Sequence, residues 1–291
     1  MTDSEQKKQG QNIQGILFII AAGFFFAMMG FCVRLSGKLP TMEKAFFRNI
    51  VAAVISYAAL KKSHVHFKPD KGSAFGLFCR SLFGTIGLVC NFYAVDRLNI
   101  ADANILNKLS PFFAIIVSAI ILKEKPSKTE WLCVIMAFLG ALFVVKPSFK
   151  LQSVYALVGL LGGFGAGTAY AFVRRLGKSN VPGTVIVFCF SVFSCVVCLP
   201  FLIADFVPMT PIQFFTLLCA GAFAAGGQFC ITKAYTKAPA KEISVFDYTQ
   251  VIFAAILGML FLNQVPDVLS LAGYAIIIGS ALYKWRYTMR Q

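Results

Sequence analysis

Few side chains in this sequence can do chemistry, and most of them fall on two short stretches. Asn104, Asn107, Lys108 and Pro111 follow an i, i+3, i+4, i+7 spacing within "ADANILNKLSPFFAIIVSAIILKEK", residues 101–125. A helix there gathers them on one face. Two amides and an ammonium suit hydrogen bonding and charge pairing with a small polar molecule rather than covalent chemistry. A charge at the centre of a membrane helix costs roughly 2.5–3.5 kcal/mol on insertion scales, so Lys108 calls for a counter-ion or a water-filled cavity. Ser244, Asp247, Tyr248 and Val251 repeat the spacing further along the chain, and Asp247 is the natural counter-ion. Asn91, Tyr93, Tyr170 and Gln228 add hydrogen-bonding groups, all four beside aromatic or glycine-rich sequence.

The expected substrate-contacting set is therefore Asn91, Asn104, Asn107, Lys108, Tyr170, Gln228, Ser244, Asp247 and Tyr248. Pro111, which lacks a backbone donor, is the expected gating kink. Each has a structural alternative: Lys108 can snorkel to an interface, the polar residues can join helices together, and the proline kink can be satisfied by its neighbours. Asp102 and Glu242 read as helix N-terminal acids. Arg48 reads as an end-of-helix ion pair with Glu43, with lining a vestibule as its alternative, and Arg80 and Lys233 read as interfacial anchors.

The elements that must hold these residues are membrane helices. At 58% hydrophobic and 13% charged, with a mean hydropathy of +0.75, the chain is far more apolar than a soluble domain. Breaking it at charge, Pro and Gly punctuation gives ten candidate spans: 13–35, 42–60, 74–95, 100–122, 128–146, 153–175, 181–203, 212–236, 241–262 and 267–285. The net charge of +15 is carried by short clusters between apolar runs, which marks cytoplasmic loops and argues against nucleic acid as a partner. An even number of spans with this asymmetry predicts both termini in the cytoplasm. The polar start "MTDSEQKKQGQN" is followed by an apolar run too long for a signal peptide.

Chemistry beyond binding finds no support. The only C-x-x-C, Cys195 to Cys198, lies in "VFSCVVCLPF" without a group to activate a thiol. The two histidines, His64 and His66, share one basic connection. No cofactor or metal is expected, nor is an enzyme. A channel would call for charge rings or filter loops, which are not evident. "GLLGGFGAGTAYAF" carries Gly159, Gly163 and Gly167 at four-residue intervals, a smooth face for helix packing.

The chain also matches itself at an offset of 140 residues. Gly23, Phe24, Val33, Arg34, Gly37 and Lys38 fall on Gly163, Phe164, Val173, Arg174, Gly177 and Lys178, and Cys79, Gly87, Cys90 and Ala94 on Cys219, Gly227, Cys230 and Ala234. An ungapped register across five spans indicates duplication. Because each copy has an odd number of spans, the second is inverted, an arrangement characteristic of secondary transporters.

"AFFRN" at 45–49, "LSPFFAIIVSAIILKEKPSKTEWLCVIMAFLGALFVVKP" at 109–147 and its weaker echo at 240–282 resemble the EamA branch of the drug/metabolite transporter superfamily. The resemblance covers residues 13 to 285 and implies an all-α membrane protein of two inverted five-helix repeats, 13–146 and 153–285. It also implies a central cavity lined by spans one, three, four, six, eight and nine. The expected function is a secondary permease that moves a small organic metabolite, such as an amino acid or nucleoside-like solute, across the cytoplasmic membrane by alternating access. Export of amphiphilic drugs or toxic metabolites is the alternative. The expected partners are that solute and the lipid bilayer, with a proton as a candidate coupling ion and the assembly a monomer or homodimer.

Overall fold

The computed structural model describes residues 3–63, 69–97, 106–145, 153–262 and 266–290; Asn104, Asp102, His64 and His66 lie outside them. Among the described residues every regular element is helical. The first half contributes α1 (Asp3–Leu35), α2 (Thr41–Lys62), α3 (Lys71–Arg97), α4 (Ser110–Leu122) and α5 (Lys128–Val145). The second contributes α6 (Ser153–Lys178), α7 (Gly183–Ala204) and α8 (Pro211–Lys237). It continues through a short α9 (Ala240–Ile243), a 3₁₀ turn (Ser244–Tyr248), α10 (Thr249–Leu262) and α11 (Val268–Arg290).

Among the described residues seven segments have the length and hydropathy to cross a membrane: Gly10–Leu35, Lys71–Ala94, Val154–Lys178, Gly183–Ala204, Pro211–Lys237, Ala240–Phe261 and Val268–Met289. Helix α4 is apolar but short. Helix α2 is long enough, and falls short in hydropathy because Arg48 and Asn49 interrupt its apolar run. The radial distribution of side chains is that of a membrane protein. Ile120 and Ile212 are 73% and 75% exposed, whereas Lys284, Glu130 and Glu242 are 0%, 1% and 4% exposed. Apolar surface faces outward and charge is packed inside, which is stable when the solvent is hydrocarbon.

Local sequence sets the helix starts, and does so at repeat-related positions. Asp70 caps α3 by accepting from the Ser73 backbone at 2.9 Å; hydrogen bonds from Ser73 hold its carboxyl below the usual carboxylate range. One repeat later, Thr210 and Gln213 form a reciprocal capping box at the start of α8. Likewise Ser127 and Glu130 close the start of α5, and Asp267 accepts from the Ser270 backbone at 3.0 Å to start α11. Each pair of caps is separated by the 140-residue offset seen in the sequence.

Packing follows the same symmetry. Helix α1 lies along α8 and α3 along α6, while α10 lies against α1 and α4 against α6. Helices α2 and α7, and α5 and α11, pair with their own repeat partners. Between α5 and α11, a Cβ on Gly140 would fall 2.8 Å from the Gly273 carbonyl oxygen, and one on Gly273 2.6 Å from that of Gly140. Only hydrogen at both positions lets the two backbones come so close.

Both repeats interrupt the helix that was expected to run unbroken through the polar stripe. In the first, Leu106 and Asn107 are helical, Lys108 and Leu109 form a turn, and α4 begins at Ser110. In the second, the 3₁₀ turn covers the equivalent positions. Pro111 therefore does not kink a continuous helix. It occupies the first turn of α4, where its missing N–H has no intrahelical partner to lose.

Candidate functional site

The two interrupted segments meet. The Tyr248 hydroxyl donates to the Lys108 carbonyl oxygen at 2.8 Å, joining repeat-related residues and satisfying a carbonyl freed by the turn. The Lys108 ammonium lies 3.2 Å from Asp247 Oδ2 and donates at 2.7 Å to Gln250 Oε1. Both charged side chains are nearly buried, at 13% and 8% exposure, so each stabilises the other where neither would be stable alone. Glycines on α6 permit this approach: a Cβ on Gly163 would sit 2.6 Å from the Leu106 carbonyl oxygen, and one on Gly167 2.5 Å from that of Ser110.

Above the Lys108 turn is a cavity of about 650 Å³, within the range of small-molecule sites. Outer turns of α1 and α3, the start of α2, the middle of α6 and one face of α10 form its walls. It reaches the end of the molecule where α1 turns into α2, at Arg34, Leu39, Thr41 and Lys44. Asn91, Asn107, Lys108, Tyr170 and Gln228 line it, and the buried Asn91 Oδ1 lacks a hydrogen bond.

Three of the expected contact residues lie behind the wall. Ser244 and Tyr248 are wholly buried and Asp247 nearly so. The 3₁₀ turn directs this segment toward α1, α4 and α5, with Tyr248 edge-on to Phe138. Asp247 and Tyr248 support Lys108, and none of the three is among the cavity-lining residues. Tyr93 is peripheral, packed against Tyr155 and under the Arg97 guanidinium.

Two arginines that the sequence reading left out of the substrate-contacting set stand at the site's centre, Arg80 read only as an anchor and Arg48 as an ion pair with vestibule lining the alternative. Arg80 is 2% exposed, donates to Gln228 Oε1 at 3.0 Å and stacks 4.2 Å above the Phe190 ring. Arg48 is 8% exposed. It does not pair with Glu43, whose carboxylate accepts from the Val207 backbone at 3.2 Å. Both arginines line the cavity. The available signal was periodic: Arg80, Gly84, Gly87 and Asn91 follow i, i+4, i+7, i+11 and mark one face of α3. The cavity also takes in α2, which was not expected to line it.

At the opposite end ion pairs tie the helices together, beside a second pocket of about 560 Å³ lined by Arg174, Lys178 and Lys233. Glu124 accepts from Arg174 Nε at 3.1 Å and from the Lys178 ammonium at 2.7 Å, while Arg174 also donates to the Thr236 carbonyl oxygen. Deeper, the Lys284 ammonium lies 2.7 Å from Glu242 and 3.3 Å from Glu130, and the Thr288 hydroxyl donates to Glu242 at 2.9 Å. Glu242 thus serves an interhelical cluster rather than a cap. Tyr170 and Tyr235 stack at 4.8 Å between this end and the cavity.

A helical, multi-pass membrane protein built from two related halves, with a solute-sized polar cavity where they meet, is the class that this fold and site define. The chain belongs to the EamA-like transporter family, which matches residues 13–146 and again 153–283. It is 35% identical to the pseudopaline exporter of Pseudomonas aeruginosa over 92% of this chain and 94% of that protein. It is 25% identical to human solute carrier family 35 member G1, over 93% and 80% of the two chains. It is 24% identical to a riboflavin transporter of Brucella anthropi, over 92% and 97%. A chain of known crystal structure superposes with a TM-score of 0.82 at 16% identity, covering 95% of this chain and 98% of that one, which establishes the shared fold.

Proposed function

We propose that this protein is a secondary transporter that exports a small organic metabolite by alternating access, with ten spans in two inverted repeats and both termini in the cytoplasm. The observation that carries the reading is a 650 Å³ cavity between the repeats that opens at one end, with the Glu124 bridges to Arg174 and Lys178 tying helices together at the other. In the proposed orientation this is the outward-open state. Inverted repeats can exchange their conformations, so the same residues can form a cavity open to the cytoplasm. Outward direction is favoured by the 35% identical relative, an exporter.

In this reading Lys108, Asn107, Asn91, Tyr170 and Gln228 contact the solute, and Asp247 fixes Lys108. The Asp247 carboxylate, 3.2 Å from the ammonium, is its counter-ion in this arrangement. The test is transport in inside-out vesicles: solute should accumulate only when the protein is present. A cysteine at residue 2 should escape an impermeant thiol label in intact cells. Labelling there would reverse the orientation, and lack of solute movement would overturn transport.

A further inference from the structure

We infer that the cavity is built for an organic anion bearing more than one carboxylate, a substrate class that rests on the transport reading above. The sequence suggested one cation, Lys108, and one anion, Asp247, at the site, with an amino acid or nucleoside-like solute as the expected cargo. The structure has a different balance. Arg34, Lys44, Arg48, Arg80 and Lys108 all line the cavity, and among the described residues no carboxylate does. Asp247, behind the wall, is matched among the described residues to Lys108.

The two arginines carry the argument. A guanidinium is always charged and offers five donors in a planar fork. Arg80 has one modest neutral acceptor, Gln228, and the face of Phe190. Arg48 and Arg80 each have a buried Nε without a hydrogen-bond partner, and among the described residues neither has a carboxylate within ion-pair distance. Two such groups, more than nine-tenths buried and facing one cavity, repel each other and leave donors unsatisfied. A carboxylate resolves both problems with short charge-assisted bonds. Toward the mouth, Arg34 and Lys44 supply positive charge for a second acid group. Lys44 already donates to the Gly37 carbonyl oxygen at 2.7 Å, which fixes it at the rim.

The rest of the wall excludes an inorganic ion as the intended occupant. Phe26, Phe92, Phe190, Val251 and Leu257 present apolar surface that gains only from a carbon skeleton, and the volume is far larger than one hydrated anion requires. The asymmetry between a basic α2/α3 side and the apolar α10 side would orient such a molecule with its acids on the arginines.

The test uses the full chain purified in detergent, with thermal stabilisation measured for citrate, succinate, glycylglycine, tetraphenylphosphonium and sodium sulfate at matched ionic strength. Citrate should stabilise most and succinate next. Arg48→Gln and Arg80→Gln should each weaken citrate binding by about tenfold or more, the loss of a charged hydrogen bond. Arg80→Lys, which keeps the charge and loses the fork, should recover part of it. Stabilisation by glycylglycine or tetraphenylphosphonium without citrate overturns the inference. So does sulfate equal to citrate, which would identify an inorganic-anion site only, or no response to either acid. If the arginine variants do not fold, the order of ligands on the wild type still decides. Reconstituted vesicles separate the two readings: citrate binding without movement of any solute retains the anion site and removes transport. Movement of tetraphenylphosphonium without citrate binding does the reverse.

Discussion

A single ammonium ties the site together. Lys108 reaches Asp247 and Gln250 by its side chain and Tyr248 by its carbonyl oxygen, so its side-chain and backbone roles can be separated. Lys108→Ala keeps the backbone contact and leaves Asp247 as an uncompensated buried charge, at a cost of about 3 kcal/mol, the lower end for a broken buried pair because cavity water screens this one. The expected result is a lower melting temperature and lost transport. Lys108→Ala/Asp247→Asn should recover most of the stability and none of the transport; wild-type transport in the single variant would remove Lys108 from the site. This pairing was legible in the sequence because two charges stood alone in apolar helices at repeat-related faces. The roles of Arg48 and Arg80 were less legible, because each lies within about two and a half turns of a helix start. At that depth snorkelling and cavity lining have the same sequence signature. Only the tertiary arrangement, which places a wet cavity beside them, distinguishes the two.

Interrupted helices do at the element scale what the lysine does at the residue scale. The turn at Lys108 and the 3₁₀ turn at Ser244–Tyr248 expose backbone carbonyls inside the bundle, where they must be matched. Tyr248 matches one directly. The α6 glycines make room for the turn, so they are expected to be intolerant even of a methyl group. At Gly167 the new Cβ would meet the Ser110 oxygen, the Phe113 Cβ and the Ala114 nitrogen within 2.8 Å, all atoms that cannot rotate away. Gly167→Ala should destabilise by about 1–3 kcal/mol. Gly279→Ala, in α11 with nothing within 4 Å, should be neutral or gain about 0.5–1 kcal/mol from helix propensity. Thermal melts of the two variants test this, and equal melting temperatures would deny the glycines their packing role. The glycine spacing and the repeat offset were readable beforehand. The helix breaks were not, since Pro111 reads alike as a mid-helix kink and as a first-turn residue until the preceding dihedrals are known.

At the scale of the whole molecule, the two-fold pattern of packing contrasts with the one-sided pattern of charge. Repeat-related helices make equivalent contacts, but Glu124 bridges to Arg174 and Lys178 at one end, while the cavity opens at the other. If the halves exchange conformations, some interaction must hold the present state, and ion pairs that form only when that end is shut are suited to the task. Glu124 is the keystone, because one carboxylate engages both bases and Arg174 also reaches Thr236. Glu124→Gln removes the charge and retains the shape. For partly exposed pairs the loss is about 1 kcal/mol, which shifts the balance between states about fivefold toward opening at that end. Ser244, wholly buried between the cavity floor and the Glu124 end, is a reporter that a thiol replaces with little change in volume. A Ser244→Cys variant should react slowly with a methanethiosulfonate reagent in permeabilised membranes, and several-fold faster when Glu124→Gln is added. An increase confined to that end, with labelling at the α1–α2 mouth reduced in parallel, is the reciprocal change that alternating access demands. Faster labelling at both ends would instead mean that the bundle has loosened, and the Glu124 bridges would then be structural ties rather than a gate.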